Sequence, residues 1–254
     1  MTELCRHRTM TPERVSGVSG GALAGSAFLA GCEQKLLDEM CAAFEAQESN
    51  VSWFERGGSG LTPHQEIYSD VVRRVLDRDA MHSVAGAARF QILIAHPPAE
   101  GLPPELSGTA MTAAYEAELH TVGSPHFDWA EKIGLETERV DANAAAREGR
   151  LAELVEAAAT IPPIFDPPDW NGRPVVDAGM ADQAPRPDPD EGHTLILLTR
   201  SYDRVPDHPR RTYIAPSRET PADKIDFTDP KKLRATWAQG ESDARALLDA
   251  RRDS

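Results

Sequence analysis

The chain has 254 residues, which is enough for one large domain or two small ones with a substantial buried core. Its 27 basic and 41 acidic side chains give a formal net charge of −14, which argues against nucleic acid as a partner because phosphates are repelled. The same charge gives no attraction to anionic membranes, so any transient membrane contact must be apolar and local. No run of about 18 apolar residues occurs, which excludes a transmembrane helix.

The first recognisable feature is a turn between a strand and a helix. Residues 1–12 are predicted to be a polar leader, and Glu13-Arg14-Val15 is typical of a strand end. The next segment, Gly17-Val18-Ser19-Gly20-Gly21, fits the G-x-S-x-G pattern of a nucleophile elbow, in which a serine occupies the tip of a sharp turn. Ser19 is therefore the candidate nucleophile.

The glycines of this turn have separate expected roles. The serine backbone is expected to be strained. A Cβ at Gly17 or Gly21 is expected to collide with the adjoining strand or helix. One long helix is predicted from Ala22 to about Gln47, and its positive end faces the place where an oxyanion would form. The backbone N–H of Gly20 is the expected oxyanion donor.

A bacterial lipobox is an alternative interpretation of the same region. Leu29-Ala30-Gly31-Cys32 resembles this signal, and its processing would remove Ser19 and leave Cys32 as the first residue. The four glycines between residues 17 and 25 make the preceding segment a poor hydrophobic helix, which disfavours a signal peptide. The three cysteines have no metal-binding spacing, and the sequence favours a cytoplasmic protein with free thiols.

The rest of the chain alternates helices and strands, which predicts a single α/β domain over residues 1–254 with a mostly parallel central sheet. A loop over 47–61 contains Trp53 and Phe54 beside a glycine-rich segment. We favour a loop pinned by two half-buried aromatics over a lid that contacts substrate or membrane. Further helices are predicted from Thr62 and over 109–120, 147–159 and 230–252. Strands are predicted over 89–95, 135–140, 174–177, 194–199 and 211–215, and the apolar runs over 194–199 and 211–215 are expected to be central strands of the sheet.

The strand Pro174-Val175-Val176-Asp177 places a carboxylate at its C-terminal end. Open α/β sheets bring together side chains from the ends of different strands, so Asp177 is the best candidate partner for Ser19. The small residues that follow Asp177 allow a tight turn towards a neighbouring loop.

These segments together resemble the patatin-like phospholipases over roughly residues 13–250. The resemblance is carried by the elbow, by a closing helix, and by two blocks, Ala159-Thr160-Ile161-Pro162-Pro163-Ile164-Phe165 and Asn171-Gly172-Arg173-Pro174-Val175-Val176-Asp177-Ala178-Gly179. It implies a three-layer α/β/α fold and a hydrolase of lipid or other esters that uses a Ser-Asp dyad and no cofactor.

Carried over to this chain, the resemblance assigns Ser19 as the nucleophile and Asp177 as the base. The acyl group of an ester would pass to Ser19 and then to water. Ala178 and Gly179 form the dyad turn, where the family has Asp-Gly-Gly or Asp-Gly-Ala. If this turn needs a positive φ, alanine at position 178 is expected to strain it by roughly 1 kcal/mol.

Two alternatives stay open. The family usually carries a glycine-rich oxyanion loop upstream of the elbow, whereas residues 1–11 contain no glycine. The loss of one oxyanion donor costs on the order of 10²–10³ in rate. The first alternative is therefore that the reading frame begins too late, or that the protein is a catalytically impaired binding module. The second is a triad of Ser19, Asp177 and either His193 or His208. No histidine has metal-ligand spacing, so no metal site is predicted.

Overall fold

The structure, a computed structural model, describes residues 1–8, 11–46, 63–97, 123–126, 134–161, 167–222 and 229–250. The predicted loop with Trp53 and Phe54 and the predicted helix over 109–120 lie outside these residues.

Helices and short strands alternate along the described chain. The helices are α1 (Thr2–Arg8), α2 (Gly20–Ala30), α3 (Glu33–Glu45), α4 (Pro63–Val75), α5 (Arg78–Gly86), α6 (Ala142–Arg147), α7 (Leu151–Ala158) and α8 (Pro230–Ala250). The strands are β1 (Arg14–Val18), β2 (Arg89–His96), β3 (Glu136–Asp141), β4 (Asp169–Trp170), β5 (Arg173–Pro174), β6 (Val176–Asp177), β7 (Thr194–Leu197) and β8 (Arg211–Ile214). A 3₁₀ turn covers Ala178–Met180.

The central sheet is built around β2. Strand β1 pairs with it in parallel, with Val18 opposite Leu93, and β3 pairs antiparallel along the other edge. Strand β6 continues the first edge antiparallel to β2, with Asp177 opposite Ile94. The α/β class is confirmed and the layers are consistent with α/β/α, while the described part of the sheet is mixed, with one parallel and two antiparallel pairings.

Apolar side chains cover both faces of this sheet. On one face, Phe90, Ile92 and Ile94 pack with the buried sides of α2, α4, α5, α6 and α7. On the other face, Leu93 and Ala95 form a smaller cluster with residues of β1, β6 and the 3₁₀ turn. The sheet is therefore a rigid platform, and residues that follow β1 and β6 take their positions from it.

The single helix predicted from Ala22 to Gln47 is wrong, since the structure has two helices there. Gly31 has a φ of 68° and ends α2, and the N–H of Cys32 donates to the Ala27 carbonyl oxygen at 2.9 Å. Only glycine adopts such a left-handed conformation without cost, so it terminates the helix although the apolar pattern continues. The lipobox-like segment thus forms a junction between two helices of the folded body.

The strands β7 and β8 are not central, which corrects a second prediction. They form a separate parallel two-stranded sheet, with Ile196 opposite Tyr213. Leu195 and Leu197 are exposed, and of the β7 residues only Ile196 joins a small cluster with Ala184 and Leu198. An uninterrupted apolar run indicates a fully buried strand, but here it belongs to a strand buried on one face.

Within the predicted leader, residues 2–8 form helix α1. Helix α1 packs on α8, where Leu4, Ala244 and Leu248 form a small buried cluster. The guanidinium of Arg245 donates to the Glu3 carboxylate at 3.0 Å. Helix α1 therefore contacts the last helix of the described chain.

Candidate active site

Ser19 occupies the turn between β1 and α2. Its backbone has φ 52° and ψ −131°, a combination that residues with a side chain rarely adopt. Such a conformation costs about 1–3 kcal/mol and persists when the surrounding structure determines it. Helix α2 starts at once, because the N–H of Ala22 donates to the Ser19 carbonyl oxygen at 2.8 Å. The turn is therefore sharp and strained, as the elbow pattern predicts.

Of the three elbow positions, position 17 is the one at which close packing requires a glycine. A Cβ on Gly17 would lie 2.6 Å from the carbonyl oxygen of Gly21 and 3.1 Å from the Cα of Ala22. A Cβ on Gly20 or Gly21 would meet no atom of the described residues within 4 Å, apart from its chain neighbours and the backbone of α2. The collision predicted at Gly21 is thus absent among the described residues.

We expect Gly17→Ala to lower the free energy of unfolding by about 1–3 kcal/mol, because the added methyl group meets backbone that cannot move without shifting α2. Gly20→Ala and Gly21→Ala are matched controls and should leave the stability unchanged or slightly higher. Urea unfolding of the three variants measures these differences. A Gly17→Ala protein as stable as Gly21→Ala would contradict the packing described for the elbow.

Asp177 reaches its position through a tight hairpin. The strands β4 and β5 are joined by Asn171 and Gly172, whose φ values of 52° and 80° are those of a two-residue hairpin turn. After the hairpin, the N–H of Asp177 donates to the Thr160 carbonyl oxygen at 2.7 Å. The backbone of Asp177 is therefore held by the sheet on one side and by the end of α7 on the other.

The structure brings Ser19 and Asp177 into direct contact. The hydroxyl of Ser19 donates to Oδ2 of Asp177 at 2.6 Å, although 158 positions separate the two residues. The register explains the contact, since Leu93 and Ile94 are neighbours on β2 and pair with Val18 and Asp177 respectively. The strands β1 and β6 thus end facing each other along one edge of β2. A buried carboxylate and a hydroxyl at this distance form a strong hydrogen bond.

The turn after Asp177 holds its second carboxylate oxygen. The N–H of Gly179 donates to Oδ1 at 2.7 Å, and the aspartate is only 1% exposed. Ala178 is buried at the start of the 3₁₀ turn and is not among the residues with positive φ. The strain considered for Ala178 therefore does not arise. A Cβ on Gly179 would lie 3.0 Å from Oδ1, so glycine fits this tight turn best.

A model of the patatin-like phospholipase family matches residues 7–189. The chain belongs to the patatin-like phospholipase family. The match covers most of the chain and includes both Ser19 and Asp177, and it confirms the resemblance noted in the sequence. Membership supports a hydrolase of lipid esters as the kind of function. A comparison with curated proteins found no match.

In this patatin-like chain, sequence analysis missed Tyr68. It lies on the inner side of α4 and is almost fully buried, and its place on an apolar helical face is the one signal of it in the sequence. Burial raises the pKa of the Tyr68 hydroxyl, and the negative charge of Asp177 raises it further. The phenol therefore stays neutral and lies within the electrostatic reach of the aspartate.

The two histidines considered as triad members form hydrogen bonds with residues other than Ser19 and Asp177. Nε2 of His193 lies 2.8 Å from the Thr212 hydroxyl, and Nδ1 of His208 accepts from the Arg210 N–H at 3.2 Å. Among the hydrogen bonds of the described residues, none joins either histidine to Ser19. The geometry thus favours a two-residue arrangement over a triad.

The described residues contain no group of three histidine, cysteine, aspartate or glutamate side chains placed to hold a metal ion. Their helices are each too short or too polar to cross a bilayer.

Proposed function

We propose that this patatin-like protein is a lipid acyl hydrolase in which Ser19 is the nucleophile and Asp177 the general base. The observation that carries the proposal is the 2.6 Å hydrogen bond from the Ser19 hydroxyl to the Asp177 carboxylate. A general base must lie within hydrogen-bond reach of the proton that it takes, and this geometry satisfies that requirement without a histidine.

In the first half of the reaction, Oγ of Ser19 attacks the ester carbonyl carbon while its proton passes to Oδ2 of Asp177. The tetrahedral intermediate collapses, the ester C–O bond breaks, and the departing alcohol takes the proton back from Asp177. This leaves the acyl group on Ser19. In the second half, a water molecule gives its proton to Asp177 and attacks the acyl-enzyme. Ser19 then leaves with that proton, and a free fatty acid is released.

The two glycines that follow Ser19 suit this chemistry. Gly20 and Gly21 are exposed, and outside α2 and the adjoining residues no described atom lies within 4 Å of where a Cβ would be on either. Their N–H groups belong to the first turn of α2, whose N–H groups lack intrahelical acceptors and whose dipole favours negative charge. An ester carbonyl oxygen that approaches Ser19 from this side would meet the Gly20 donor as it becomes an oxyanion.

The direct test is hydrolysis of two substrates, a medium-chain p-nitrophenyl ester and phosphatidylcholine in mixed micelles. We expect the release of p-nitrophenol from the first and of fatty acid from the second, with no added metal. A folded protein that hydrolyses neither substrate would contradict the proposal and favour the alternative of a patatin-like fold used for binding.

A further inference from the structure

His96 ends β2 beside the strand that carries Asp177, and its ring is 2% exposed. Nδ1 lies 2.9 Å from the carbonyl oxygen of Pro174, and Nε2 lies 2.9 Å from Oε2 of Glu138. One side chain thus joins the central strand β2, the edge strand β3 and the hairpin strand β5.

Both ring nitrogens of His96 face oxygen atoms that can only accept. A neutral imidazole has a single N–H, so it can satisfy one of these acceptors, whereas the imidazolium donates to both. The ring itself is buried, whereas the Glu138 side chain is 44% exposed. The imidazolium makes both bonds and bears the charge opposite to that of the Glu138 carboxylate, whereas the neutral ring makes one bond.

His96 bonds the chain just before β6, a strand that has only a short pairing with the sheet. Strand β6 pairs with β2 over only two residues, Val176 and Asp177. The bond from His96 to Pro174 fixes the chain three residues before Asp177. Glu136 of β3 and Arg173 of β5 form a second link at 2.6 Å between the same hairpin and the sheet.

Among the described residues, the charged groups in the contacts around this end of β2 are the carboxylates of Glu136 and Glu138 on β3, the guanidinium of Arg173 on β5 and the carboxylate of Asp177 on β6. Arg173 is paired with Glu136, and Asp177 accepts from Ser19 and from the Gly179 N–H. Glu138 is therefore the carboxylate among these groups that bonds the His96 ring.

We propose that His96 is a positioning residue for acyl transfer, which in its doubly protonated form clamps the hairpin to the sheet and so fixes Asp177 within reach of Ser19. This inference rests on the proposed function. When the ring loses a proton, one of its two bonds is lost and the segment before Asp177 loosens. Because small displacements of a catalytic group cost up to about 100-fold in rate, the loosening lowers the reactivity of Ser19.

The test measures the rate at which a fluorophosphonate labels Ser19 as a function of pH, together with the ¹⁵N signals of the His96 ring. For the wild-type protein we expect the labelling rate to fall at high pH over the range in which those signals report the loss of a proton. His96→Leu, which bonds neither acceptor, should label about tenfold more slowly at all pH values. His193→Asn is the matched control and should label like the wild type, because its ring bonds Thr212 on a separate sheet.

Glu138→Gln separates a clamp from a merely structural histidine. Its amide can donate to Nε2 of a neutral ring while Nδ1–H donates to Pro174, so the fall in rate at high pH should disappear. Glu138→Gln is conservative and keeps the test valid if His96→Leu fails to fold.

Failure of the inference about His96 and failure of the proposed function give different results in this test. If a folded His96→Leu protein labels at the wild-type rate, or if Glu138→Gln keeps the fall at high pH, the inference about His96 is overturned while the proposed function stands. If the wild-type protein is not labelled at any pH, the proposed function fails and the inference fails with it.

Discussion

Replacing Ser19 with alanine is expected to lower ester hydrolysis by at least about 10⁴-fold, because the variant retains the binding surface and the oxyanion donors but has no group that can accept the acyl chain. The measurement is the initial rate with the p-nitrophenyl ester, made on protein whose unfolding midpoint matches that of the wild type.

Ser16→Ala is the matched control for this variant. Ser16 lies three positions earlier on β1, and its buried hydroxyl has no hydrogen-bond partner among the described residues. Loss of that hydroxyl should leave the rate unchanged and the stability unchanged or slightly higher. If Ser16→Ala lost as much activity as Ser19→Ala, the loss would be due to damage to β1 and not to removal of the nucleophile.

Replacing Asp177 with asparagine is expected to lower kcat by about 10²–10⁴-fold, since an amide of the same shape cannot take the proton from the Ser19 hydroxyl. The remaining amide oxygen can still accept from the Gly179 N–H, so the fold should be retained. Steady-state kinetics should give a fall in kcat with little change in KM, because Asp177 acts on the reacting proton and not on substrate binding.

Asp169→Asn provides the control for the loss of a carboxylate. Asp169 is exposed at the start of the same hairpin and should tolerate the change without loss of activity. An Asp177→Asn protein with near wild-type kcat would show that another group takes the proton, and it would reopen the triad hypothesis.

The local parts of the site could be predicted from the sequence because they depend on short-range chemistry. The pattern around Ser19 specifies a strained turn through residues a few positions apart, and the structure has that turn. The association of Ser19 with Asp177 is different. Its position at a strand end made Asp177 the best candidate partner, and the resemblance to a family assigned it as the base. Neither indicates that β1 and β6 end against neighbouring positions of β2.

The incorrect predictions have physical reasons of the same kind. A single glycine, Gly31, outweighs the helical periodicity on either side because it adopts a left-handed conformation at no steric cost. The run Thr194–Leu197 has the composition of a central strand, but tertiary packing buries only one of its faces. His96 gave no motif at all, because its two partners, Glu138 and Pro174, are brought to it by pairing of distant strands.

The most direct test of the account is mass-spectrometric mapping of a fluorophosphonate adduct, since such probes react with a serine that is activated as a nucleophile. We expect one adduct, on Ser19, which is formed by the wild-type protein and is strongly reduced in Asp177→Asn. A folded wild-type protein that forms no adduct, or one that carries it on another serine, would contradict the assignment of Ser19 and Asp177 as the reacting pair.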